Sequence, residues 1–257
     1  MMEAKIRKPA VAGSFYAGDA KELRQDVQNC FSRCKNPLME NVQAVIVPHA
    51  GYVFSGVTAA SAFAAINPDA EYEHIFLLGP SHHVYLGKAS VNIGASAYAT
   101  PLGNVPVDTA LCKDLMEKSD AINYAQEAHE SEHCLEVELP FLQYHMKKIP
   151  SIVPIIIATQ ELTTLKKIAD TLKPYLNEKN LFVISSDFSH YPAYKDAEIV
   201  DGLTKDSIMT GKVEAFVNAT LHNQELSIDH LATSACGMAP IATLLMMTEN
   251  DANIKPH

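Results

Sequence analysis

Three observations predict an α/β fold, a three-layer αβα sandwich around a mostly parallel or mixed sheet. Short apolar runs recur, helix-like segments separate them, and histidine-bearing loops follow three of them. The runs fall at 44–47, 75–78, 152–157 and 181–184. Each is about strand length and nearly unbroken in apolar character, as expected of strands covered on both faces. A further strand is expected over 88–93.

The helices follow from side-chain spacing. Asp19 can cap a helix over 20–33, and 58–66 is Ala-rich. Apolar residues at 107, 111 and 115, and again at 162, 165, 168, 169, 172 and 176, predict amphipathic helices over 107–118 and 162–176. A polar loop leads into a helix over 133–146, and the strongly apolar stretch 235–247 reads as a buried helix opened by Cys236-Gly237. It is too short for the roughly 20 apolar residues that span a bilayer. No linker or repeat interrupts the sequence, so one domain over 1–257 is expected.

Composition narrows the function. The 257 residues are 47% hydrophobic, enough for a large core, and 20 Lys and Arg face 30 Asp and Glu for a net charge of −10. Without a concentrated basic surface, neither nucleic acid nor an anionic membrane is an expected partner. Residues 1–14 contain no apolar stretch of signal-peptide length, and five cysteines at irregular spacing suit a reducing compartment, so a cytoplasmic location is expected.

In open α/β sheets ligands bind beyond the carboxyl ends of the strands, so the residues just after each apolar run matter most. Those residues are Pro48-His49-Ala50-Gly51-Tyr52, Gly79-Pro80-Ser81-His82-His83 and Ser185-Ser186-Asp187-Phe188-Ser189-His190. Three strand ends thus deliver imidazole and one adds a carboxylate. Imidazole, carboxylate and thiolate hold transition metals, which makes a metal site the leading expectation. Cys236, where the last helix should begin, is the cysteine best placed to join it. Cys30 and Cys34 share a helix face but read as inert, and Cys112 and Cys134 have no obvious partner.

Two alternatives fail on pattern. His129-Glu130-Ser131-Glu132-His133 matches the H-E-x-x-H zinc-protease signature, which needs both His on one helix face. Ser131 instead reads as the cap of a following helix, leaving His129 outside it, although Glu132 or His133 could reach the crevice. Asp187, Ser189 and His190 include the three triad residue types but are too close in sequence to form a triad, and no G-x-S-x-G elbow is present.

Taken together with Ala12-Gly13-Ser14-Phe15-Tyr16, Glu132-His133 and Glu138-Leu139-Pro140, these motifs resemble, in order along nearly the whole chain, the Memo (mediator of cell motility) family. Its bacterial and archaeal members are called AmmeMemoRadiSam system protein B. The family is similar in fold to LigB-type class III extradiol dioxygenases, which are non-haem iron enzymes. The resemblance implies His49, His82 and Cys236 as ligands of one transition-metal ion, iron or copper first and zinc as an alternative. It also implies Asp187 and His190 as catalytic residues lining the crevice, with His190 in the place of the dioxygenase acid/base histidine. Tyr52, His83 and His133 are expected to contact the substrate.

A thiolate in place of the dioxygenase carboxylate favours softer metals and makes the site oxidisable. The implied activity is therefore an iron- or copper-dependent oxidoreductase of unspecified substrate. The alternatives are a zinc-dependent hydrolase and a non-enzymatic protein binding a peptide or small molecule in the crevice. The family name further implies a functional link to a radical-SAM protein and an AMMECR-type protein.

Overall fold

The computed structural model describes residues 5–34 and 38–257. Residues 1–4, included in the reading of the N-terminus, lie outside the described residues. The central sheet has six strands in the order β2 (Ala44–Val47), β9 (Asn180–Ser185), β3 (His74–Pro80), β8 (Ser151–Ala158), β4 (Lys88–Val91) and β7 (Ile122–Asn123). From β2 to β8 the pairing is parallel, β4 runs antiparallel to β8, and β7 is parallel to β4. The expected mixed sheet is therefore present. Its inner strands are buried along almost their full length, which explains their unbroken apolar character. A smaller sheet joins β1 (Ile6–Arg7), β5 (Ala97–Thr100) and β6 (Gly103–Pro106).

Two helical layers complete the sandwich. One contains α1 (Ala20–Ser32), α2 (Tyr52–Ala64) and α5 (Leu139–His145), which pack on one another. The other contains α3 (Thr109–Lys118), α6 (Leu162–Leu172), α7 (Tyr194–Met209), α8 (Val213–Glu225) and α9 (Met238–Thr248), with α9 packed on β3 and β9. The remaining helix, α4 (Glu127–Glu130), is a single turn near β8. Asp19 caps α1 as expected, accepting from the backbone N–H groups of Lys21 and Glu22.

Several boundaries differ from the expectation. The helix expected over 133–146 begins only at Leu139, because Pro140 fits a first helical turn and could not sit deeper. Ser131 ends α4 instead of capping a following helix, so His129 lies within that turn. The helix expected over 162–176 stops at Leu172, and Pro174 carries the chain into a 3-10 turn. The helix expected over 58–66 begins earlier, at Tyr52, and the one expected over 107–118 begins at Thr109.

Two glycines set how closely the elements meet at the carboxyl end of the sheet. A Cβ at Gly237 would lie 2.3 Å from Ser186 Cβ and 2.7 Å from the Ser185 carbonyl oxygen. The bare Cα lets the chain turn into α9 directly against the end of β9, with Cys236 one residue before the turn. At Gly79 a Cβ would lie 2.4 Å from Cys134 Sγ, so the end of β3 can meet the 131–138 segment only through glycine.

Candidate metal centre

His49 follows β2 by two residues and is buried, with 1% exposure. Its loop is clamped to the loop after β9, because the backbone N–H groups of His49 and Ala50 both donate to Asp187 Oδ1, at 2.8 and 3.2 Å. The His49 Nδ1 lies 2.7 Å from Ser185 Oγ. The other ring nitrogen, Nε2, lies 3.2 Å from Cys236 Sγ.

His82, beyond β3, is held by a carboxylate. Its Nδ1 donates to Glu132 Oε1 at 2.9 Å, and its backbone N–H donates to Glu132 Oε2 at 2.7 Å. Glu132 is itself buried and also accepts from the backbone N–H groups of His133 and Cys134, at 3.0 and 3.1 Å. Such a carboxylate–histidine pair fixes the ring orientation and frees Nε2 for a ligand. The rings of His49 and His82 stand edge to face with centroids 5.2 Å apart.

Cys236 completes the group. Its backbone N–H donates to the Asp187 carbonyl at 3.2 Å, while the Asp187 N–H donates to its Sγ at 3.3 Å. One ligand atom each from His49, His82 and Cys236 lie within 4.8 Å of one another. This donor set fits a transition-metal ion: both imidazoles spend Nδ1 on the protein, and a sulfur stands beside a free Nε2.

The electrostatics distinguish the two histidines. Burial, with smaller contributions from His82 and His133, lowers the His49 pKa far below its ordinary value and keeps the imidazole neutral, the form that binds metal. Burial also disfavours charge on His82, but hydrogen bonds to Cys236 and Glu132 outweigh it and raise its pKa. Glu132 shifts downward, its burial outweighed by the hydrogen bond and charge of His82.

The other expected residues divide. His190 and Asp187 each supply an atom to a second group with Cys236, again within 4.8 Å, so both stand at the same centre. His190 Nδ1 donates to the Phe188 carbonyl at 2.8 Å, which leaves Nε2 as its working nitrogen. The His133 ring packs on His82 at 4.7 Å and on His49 at 5.4 Å, and His83 is grouped with His133 and Glu132. Tyr52 belongs to the core instead: it is buried and donates its hydroxyl to the Val137 carbonyl at 2.7 Å. Its place at the head of α2 turns this phenol from an expected substrate contact into packing.

The H-E-x-x-H pentapeptide forms no zinc-binding helix face. His129 bonds Ser90 Oγ through Nε2 at 3.0 Å, while His133 lies in the turn beyond α4. Sequence reasoning let Glu132 reach the crevice without a partner and gave no role to Ser185, yet these two hold His82 and His49. Glu132-His133 and Glu138 stood in the quoted motifs, so their presence was visible and their use was not.

A cleft of about 740 Å³ opens beside His82 and Cys236. Pro80, Val84, Ile157, Ala158 and Ala239 give it apolar walls, and Ser81, His83, Thr159, Gln160 and Glu161 add polar groups. Among the described residues, no helix is long and apolar enough to cross a membrane.

Fold and centre together define an αβα-sandwich protein with a His/Cys group at the carboxyl end of its sheet, able to hold a metal ion. A Memo-like protein family model matches residues 7–255. The chain belongs to the Memo family. It is 32% identical to a MEMO1 family protein of Nitrosopumilus maritimus, over 97% of this chain and 90% of that one. It is 35% identical to one from Aeropyrum pernix, over 93% of this chain and 86% of that one. A fission-yeast relative, from Schizosaccharomyces pombe, is 37% identical over 74% of this chain and 62% of its own. The crystal structure of an uncharacterized Escherichia coli protein aligns at TM-score 0.45 and 18% identity, over 67% of this chain and 75% of that one.

Proposed function

We propose that this protein is a metal-dependent oxidoreductase whose iron or copper ion is held by His49, His82 and Cys236. The observation that carries the reading is the shared arrangement of the two imidazoles. Each commits Nδ1 to a buried partner, Ser185 or Glu132, and the group they form closes on a sulfur. A bound redox metal would supply electron transfer and Lewis acidity, and three protein ligands would leave coordination positions for a substrate. His190, with Nδ1 anchored on Phe188, can give or take a proton at Nε2, and Asp187 fixes the His49 loop. His83, His133 and the cleft beside them contact a small-molecule or peptide ligand.

The test is metal analysis of protein purified without oxygen and without a tag, wild type beside Cys236→Ala. About one iron or copper per chain in the wild type, lost in the variant, is the expected result. A full complement of zinc would favour the hydrolase reading. No uptake of iron or copper by either protein after reconstitution would overturn the metal-centre reading and favour ligand binding alone.

A further inference from the structure

Glu138 stands just before α5, and no step above uses it. Its side chain is wholly buried, and its Oε2 has no hydrogen-bond partner. Its Oε1 lies 3.0 Å from Ser185 Oγ. The same hydroxyl lies 2.7 Å from the Cys134 backbone carbonyl oxygen and 2.7 Å from His49 Nδ1.

Three full hydrogen bonds need three hydrogens, and the hydroxyl has one, which shared between two acceptors would fully satisfy neither. The Cys134 carbonyl brings none, so the hydroxyl hydrogen goes there. His49 Nδ1 and Glu138 Oε1 must then each bring their own, and a carboxylate has none to bring. The surroundings agree. Burial raises the Glu138 pKa well above the carboxylate range by more than a Ser185 hydroxyl turned toward it would lower it, and the like charge of Asp187 raises it further. Its other titratable neighbours, the Tyr52 phenol and the Cys134 thiol, carry no positive charge.

We propose that Glu138 is a positioning residue for the metal centre: as a neutral carboxylic acid it donates to Ser185 Oγ and, through that hydroxyl, holds His49 with Nε2 turned to Cys236. The proposal rests on the metal-centre reading. Groups that orient a metal-binding histidine through its second nitrogen commonly change affinity by about 10- to 100-fold when removed.

The experiment compares wild type, Glu138→Gln and Glu138→Met. Glutamine keeps an N–H donor for Ser185, and methionine fills the space without one. Cobalt(II) affinity is measured on each folded protein, and infrared spectra of metal-free protein labelled with ¹³C-glutamate report protonated carboxyl groups. A protonated-carboxyl band in the wild type that both variants lose is expected, with Glu138→Gln within about threefold of wild-type cobalt affinity and Glu138→Met weaker by about tenfold. Wild-type affinity in folded Glu138→Met would overturn the proposal. Should that variant fail to fold, a tenfold loss in Glu138→Gln would overturn it, because the retained donor should suffice. No cobalt uptake by the wild type would sink the metal-centre reading and this role with it. Uptake without the protonated-carboxyl band would sink this role alone.

Discussion

His129 and His133 are four residues apart and lie in opposite environments. His129 is buried, and both ring nitrogens are taken, Nε2 by Ser90 Oγ at 3.0 Å and Nδ1 by the Tyr98 hydroxyl at 3.3 Å. Beside it Arg7 donates to the His129 carbonyl and pairs with Glu136 at 2.6 Å. Glu136 in turn accepts from the Tyr16 hydroxyl and from the backbone N–H groups of Ala10 and Val11. His133 instead leans on the His82 and His49 rings at the centre, where each of those two histidines commits Nδ1 to the protein. The first network consumes its donors and acceptors, and the second stops one atom short. A polar cluster that closes on itself ties the N-terminal segment to the core, whereas one that ends on bare imidazole nitrogens and a sulfur has capacity left for a ligand.

The sharpest way to break this contrast is Glu136→Leu. It strands the buried Arg7 charge and the other donors to Glu136, and it should cost about 3–5 kcal/mol in chemical denaturation. Metal stoichiometry of the folded protein should not change. Loss of metal at unchanged stability would reverse the assignment of the two networks.

Acid separates them next. Burial lowers the His129 pKa from 6.5 to about 3, so between those values the unfolded chain binds one proton more than the folded chain. Stability from this group is therefore intact above 6.5 and falls as pH drops toward 3, by up to about 1.4 kcal/mol per pH unit. His129→Gln should flatten the slope of unfolding free energy against pH by about one proton, and an unchanged slope would show that the ring is protonated when folded.

Cys236→Ser should have the smallest effect on stability, under about 1 kcal/mol, because a partly buried thiol is exchanged for a hydroxyl of similar size. The same change should weaken iron or copper binding by about 100-fold, read by competition with a chelator. A large loss of stability with retained metal would move Cys236 into the structural class.

Much of this was legible in the sequence, for identifiable reasons. The four central strands showed because strands covered on both faces read as continuous apolar runs, and the centre showed because parallel strands end together. The loops of His49, His82, Asp187 and His190 could thus be placed near one another, and Cys236 joined them only through the resemblance to the Memo family. Helices α7 and α8 were not read, because Ile199, Leu203, Met209 and Leu221 are exposed on them and blur the apolar stripe. The two-residue strands β1 and β7 are too short to show any alternation. Ser185, Glu132 and Glu138 escaped for a different reason: a hydroxyl or carboxyl that orients a histidine looks, in sequence, like any other.

The loops that carry His190 and Cys236 run side by side. The His190 N–H donates to the Thr233 carbonyl, the Ala232 N–H to the His190 carbonyl, the Cys236 N–H to the Asp187 carbonyl, and the Gly237 N–H to Ser186 Oγ. They therefore move as one splint. Tyr191, held at φ 70° where a bulky side chain is costly, is the stiffened end of it. A ligand that pulls on His190 also pulls on the sulfur, so what binds beside one loop would change the geometry that the other offers a metal ion.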